Sequence, residues 1–84
     1  MFNKWRRKRE IKKSLKVLLD FELLKQDTFD IALNDPEQIP EMRHSLLKLK
    51  WEYIDDNELY NQVEQLEACI DLAIKERESL NGRL

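Results

Sequence analysis

Glycine is almost absent from this sequence: Gly82 is the only one, beside two prolines, one cysteine, one threonine and two valines. Each scarcity excludes something. A chain with a single glycine near its end has no Gly-rich loop to cradle a phosphate. Threonine and valine are too few to build strands, whereas Leu, Ile, Glu, Lys and Arg abound, so the composition is that of an all-α protein. The lone cysteine, Cys69, forms no internal disulfide; it fits a reducing compartment and leaves only an intermolecular bond open. Long hydrophobic runs are also missing. The most apolar stretch, Leu15 to Leu24, is interrupted by Lys16, Asp20 and Glu22. It is too short and too charged to span a bilayer, and the chain shows neither the apolar core nor the cleavage site of a signal peptide. The expected location is cytoplasmic.

What the chain has is charge, unevenly spread. Residues 1–16 carry eight basic groups against one acid, Glu10, a net +7; the remainder carries −9, giving −2 overall. An acidic body with a basic end is the most informative feature of the composition. With 84 residues there is room for one domain, which buries roughly 60–65% of its unfolded surface. Folds of this size commonly draw added stability from a metal, a disulfide or a partner subunit.

The apolar residues Met42, Leu46, Leu49, Tyr53, Tyr60, Val63, Ile70 and Ile74 recur in steps of three, four and seven. That period predicts one long helix over about 41–80, starting at Pro40 and stopping at Asn81-Gly82. Asp55-Asp56-Asn57-Glu58 resembles a capping box and is the one place where the helix could break. The unbroken phase of the stripe favours continuity, with Tyr53 and Tyr60 seven residues apart. A second helix is predicted over about 9–33, with Arg9, Lys12, Lys13, Lys16, Asp20, Asp27 and Asp30 on a polar stripe and a broad apolar sector beside it. Glu22 falls within that sector and is expected to reach water from its edge. Asp35-Pro36 and Pro40 close the connection between the two helices.

These elements make an antiparallel helical hairpin, a single domain over 9–84 preceded by a basic arm over 1–8. A length argument extends the reading. The first helix is about 37 Å long and the second about 60 Å, so the hairpin leaves an overhang beyond about residue 65. Covering it requires a second copy, through Val63, Leu66, Ile70, Ala73, Ile74 and Leu80, in a homodimeric bundle with coiled-coil character. If the long helix breaks near 55–57, the alternative is a monomeric three-helix bundle with no overhang.

The candidate sites point to binding and not to catalysis. Lys4, Arg6, Arg7, Lys8 and Arg9 place five basic side chains in six positions, beyond what Glu10 can neutralise. Forked arginines suit phosphate or carboxylate, so nucleic acid or an acidic protein is the expected partner. Phe2 and Trp5, three apart among these cations, allow a peripheral membrane anchor as the alternative. Trp51, Tyr53 and Tyr60 form a candidate protein-partner patch. Glu41 and His44 have the Glu-x-x-His spacing of helical metal sites, but the hairpin puts only Asp30, on the polar stripe, opposite them and leaves Glu22 about 12 Å further along, so no metal or cofactor is expected. Cys69 and His44 lie 25 residues apart on what reads as one helix, which forbids a catalytic dyad. The expected protein is a small non-enzymatic interaction or adaptor module with no small-molecule substrate.

Overall fold

The computed structural model describes residues 5–82, and all regular structure among them is helical. The elements are α1 (Lys8–Leu15), α2 (Leu18–Asn34), a 3-10 turn (Pro36–Gln38), α3 (Ile39–Glu52) and α4 (Asn57–Gly82). Both helices expected from the periodicity are therefore divided. None of the four is long and apolar enough to cross a membrane.

The first break has no proline or glycine to announce it. The α1 helix closes with tight backbone bonds from Lys16 N to Lys13 O and from Val17 N to Ser14 O, and β-branched Val17 takes an extended conformation (φ −119°, ψ 118°). Tertiary contacts supply the reason. The Trp5 indole Nε1 donates to Thr28 Oγ1 at 3.0 Å, and Arg6 reaches Asp27 at 3.1 Å. On one straight helix, residues 5 and 28 would stand about 35 Å apart. Folding α1 back on α2 buries Ile11, Ser14 and Leu15 as well, which outweighs the few backbone bonds lost.

The second break falls at 53–56, so the expected continuous helix over 41–80 is corrected to two. Tyr53 ends α3, and Asp56 N bonds back to Tyr53 O at 2.9 Å. The Asp56 side chain then accepts the Leu59 backbone N–H at 3.1 Å, capping α4. A cap of this kind is worth about 1 kcal/mol. The larger gain is that α4 turns back along α3, with Lys50 paired to Glu67 and Arg43 to Asp71, each at 3.0 Å. The stripe keeps its phase because both helices turn the same face to one core.

The result is an up-down-up-down bundle. Its most extensive contact is between α2 and α4, which run in the same direction: Cys69 sits beside Glu22 and Phe29, while Arg77 reaches the Leu33 carbonyl. The core draws on all four helices, with Ile11, Leu15, Leu24, Met42, Leu46, Leu49, Val63, Leu66, Ile70 and Ala73 almost fully buried. The two buried polar side chains, Ser14 and Thr28, are both hydrogen-bonded.

This arrangement removes the overhang. Val63, Leu66, Ile70 and Ala73, expected at a dimer interface, lie inside the chain's own core; Ile74 is half-buried and Leu80 exposed. Two residues of the expected arm over 1–8 make contacts with the helices. Trp5 and Arg6 pack on the bundle, and the backbone N–H of Trp5 donates to Gln38 Oε1 at 3.1 Å. Phe2 and Lys4 fall outside the described residues.

Candidate anionic-partner interface

The α1 helix has an inner and an outer side, and its basic residues divide between them. On the inner side Arg6 is partly buried; its guanidinium donates to Ser14 Oγ at 2.8 Å and to Asp27 Oδ2 at 3.1 Å. Lys8 and Lys12 reach across to α3 and share the Glu52 carboxylate, Lys12 at 2.6 Å. Donation from Lys12, and next from Lys8, holds the Glu52 carboxyl below its ordinary range. The same hydrogen bond raises the Lys12 ammonium above its own.

On the outer side Arg9, Lys13 and Lys16 are exposed and make no ion pair among the described residues. Their spacing of four and three puts them on one helical face, about 10 Å from end to end. Together with Lys8 and Lys12 they line an open depression of about 450 Å³. Arg7, just before α1, is likewise exposed and makes no ion pair among the described residues. So of the five residues expected to bind an anion, the structure leaves Arg7 and Arg9 free and commits Arg6 and Lys8 to partners within the chain; Lys4 lies outside the described residues. The acidic body neutralises part of the arm in cis, contrary to the expectation that its cations outnumber local acids. Lys13 and Lys16 were not singled out from the sequence. The signal was available in the steps Arg9, Lys13, Lys16, which sit opposite Ile11 and Leu15.

Two of the three residues of the expected partner patch come together. Trp51 is 68% exposed and, with Leu47, Lys50, Ile54 and Tyr60, lines a shallow depression of about 220 Å³ on α3 and the start of α4. The Lys50 ammonium stands over the Tyr60 ring, 5.4 Å from its centroid, within the reach of about 6 Å for a cation–π contact. Tyr53 instead packs against the core.

Glu41 and His44 are both exposed, and no group of three or more His, Cys, Asp or Glu among the described residues could hold a metal ion. The premise that one helix separates Cys69 from His44 fails with the α3–α4 turn. Cys69 is half-buried and opens instead onto a groove lined by Leu19, Glu22, Leu23, Lys25, Gln26 and Phe29, without His44. Burial pushes its thiol pKa up, which disfavours the reactive thiolate. No protein-family model matches the chain, and none of the curated proteins or solved structures compared with it gives a significant match.

Proposed function

We propose that this chain is a non-enzymatic helical interaction module that binds a phosphate-bearing partner through the outer face of α1. One observation carries the reading: Arg9, Lys13 and Lys16 stay exposed and make no ion pair among the described residues, on a protein whose remaining residues, 17–84, sum to −9. The cations that stabilise the bundle are already paired, Arg6 with Asp27 and Lys8 and Lys12 with Glu52. The outer three have no such task, and their charge is available to an incoming anion. A reducing compartment such as the cytoplasm suits the half-buried thiol of Cys69.

Salt dependence tests this. Three phosphates neutralised by Arg9, Lys13 and Lys16 should make the logarithm of affinity for short duplex DNA fall with the logarithm of salt at a slope of about −2 to −3. The combined Arg9→Gln, Lys13→Gln and Lys16→Gln variant should lose most of that slope and keep wild-type helicity. Wild type that binds neither DNA nor any other polyanion at low salt overturns the reading. Self-association remains a separate proposal with a different surface. The exposure of Trp51 favours a protein contact on the α3 face, and Trp51→Ala should weaken that contact without loosening the fold.

A further inference from the structure

The α1–α2 turn adds a feature that the basic face alone does not explain. Leu18 and Leu19 open α2 and are the most exposed large apolar side chains among the described residues, at 74% and 76%. Val17 beside them and Leu23 one turn further on are about half exposed. Directly before them stand Lys12 and Lys13 of α1 and Lys16, which follows its last turn. Residues 11–21 hold these three lysines and a single acid, Asp20. Asp20 lies about 100° round the helix from Leu19. It shares its face with Asp27, which Arg6 draws toward α1.

The shape of this site selects among anionic partners. The chain reverses at residues 16–17, so Val17 and Leu18 stand on a convex tip, while Leu19, 76% exposed, stands at the rim of the shallow groove that runs past Leu23 to Cys69. A protein or nucleic acid would have to offer a pocket for them, and the phosphate backbone of a nucleic acid has none. The boundary between headgroups and acyl chains accepts a protruding aliphatic tip without a preformed pocket, while lysines around it reach phosphates along their flexible stems. We propose that the α1–α2 turn is a membrane-surface anchor. Val17, Leu18 and Leu19 enter the interface of an anionic phospholipid layer, and Arg9, Lys13 and Lys16 lie against its headgroup phosphates. The proposal rests on the reading of the outer face of α1 as anion-binding and names its partner.

The approach is oblique. The acidic α3–α4 turn, with Asp55, Asp56 and Glu58, lies at the same end of the bundle, because Glu52 just before it pairs with Lys8 and Lys12. An anionic layer therefore meets α1 and the start of α2, with the α3–α4 turn tilted away. Trp5, which with Phe2 makes up the alternative anchor in the sequence, is held to Thr28 and takes no part.

Flotation with phosphatidylcholine vesicles containing phosphatidylserine, against pure phosphatidylcholine vesicles, tests the anchor. Wild type should bind the anionic vesicles and not the neutral ones. Leu18→Ser with Leu19→Ser should weaken binding by about a hundredfold, since each leucine withdrawn from water contributes about tenfold or more. Lys13→Gln and Lys16→Gln should each weaken it about fivefold and reduce its salt dependence. Circular dichroism and thermal melting of each variant should match wild type, because all four side chains are exposed. Undiminished vesicle binding by the leucine variant overturns the anchor. So does binding to duplex DNA or polyglutamate without binding to vesicles, though that result leaves the outer face of α1 as an anion site. Failure to bind any of these probes overturns both.

Discussion

Val63, Leu66, Ile70 and Ala73 of α4 are wholly buried, while Leu18 and Leu19 at the start of α2 are about three-quarters in water. Both sets are apolar side chains on helices, and both continue an apolar pattern in the sequence. They differ in whether another helix lies against that face. The α4 stripe is enclosed by α2 and α3; in the first turn of α2 only Phe21 turns into the core, and Leu18 and Leu19 project from the chain reversal into water. A similar division runs through the cations in and just before α1: Arg6 is tied to Ser14 and Asp27, whereas Arg9 is exposed and makes no ion pair among the described residues. Residue type decides what a side chain can do, and the neighbour decides whether it stabilises the fold or is left for a partner.

Substitutions can break this comparison at either side. The largest effect is expected at Ile70. Ile70→Glu buries an unpaired charge at the centre of the bundle and should cost about 4 kcal/mol or more, abolishing the helical circular-dichroism signal. Retained helicity in this variant would mean that the stripe is not the core. A middle-sized effect is expected where α1 is fastened to α2. Thr28→Val keeps the volume but leaves the Trp5 indole N–H without its acceptor, for a loss of about 1–3 kcal/mol by chemical denaturation. Combined with Trp5→Phe, which removes the donor, the loss should be smaller than the sum of the two single effects.

The smallest effect is electrostatic. The Glu52 carboxyl is held below its ordinary range, so its pairing with Lys12 and Lys8 stabilises the fold above the unfolded carboxyl pKa. That stabilisation disappears as pH falls through the lower folded value. The three groups are exposed, which keeps the contribution small. Glu52→Gln should therefore lower the melting temperature slightly at neutral pH and not at all at a pH below the carboxylate range. An equal shift at both would show that the ion pairs are not its origin.

The sequence made the helical class legible because its period is strong, and it marked the break at Asp55–Asn57 through residues that favour caps. The unbroken phase of the stripe favours a continuous helix, yet a reversal between two helices facing one core preserves phase equally well. The break at Lys16–Val17 carried no local signal. It exists because Trp5 and Arg6 find Thr28 and Asp27, contacts 23 and 21 residues away that no periodicity reveals. The basic end was equally visible as a charge excess, but its division was not. Whether a cation is free depends on acids that folding brings close, Asp27 for Arg6 and Glu52 for Lys8 and Lys12. The exposed leucines at the start of α2 were hidden for the same reason: a straight helix would have placed them within its broad apolar sector.

The central claim is that α1 stabilises the bundle with its inner side and meets an anionic partner with its outer side. Arg6→Gln and Arg9→Gln compare the two with one change of charge each. Measured in parallel, Arg6→Gln should lower stability by about 1–3 kcal/mol, since its partners Ser14 and Asp27 lose a charged donor, and leave affinity for anionic vesicles within about twofold of wild type. Arg9→Gln should leave stability within about 0.5 kcal/mol and weaken vesicle binding about fivefold. If the two variants change stability and affinity alike, the inner and outer sides of α1 are not functionally distinct, and the claim is wrong.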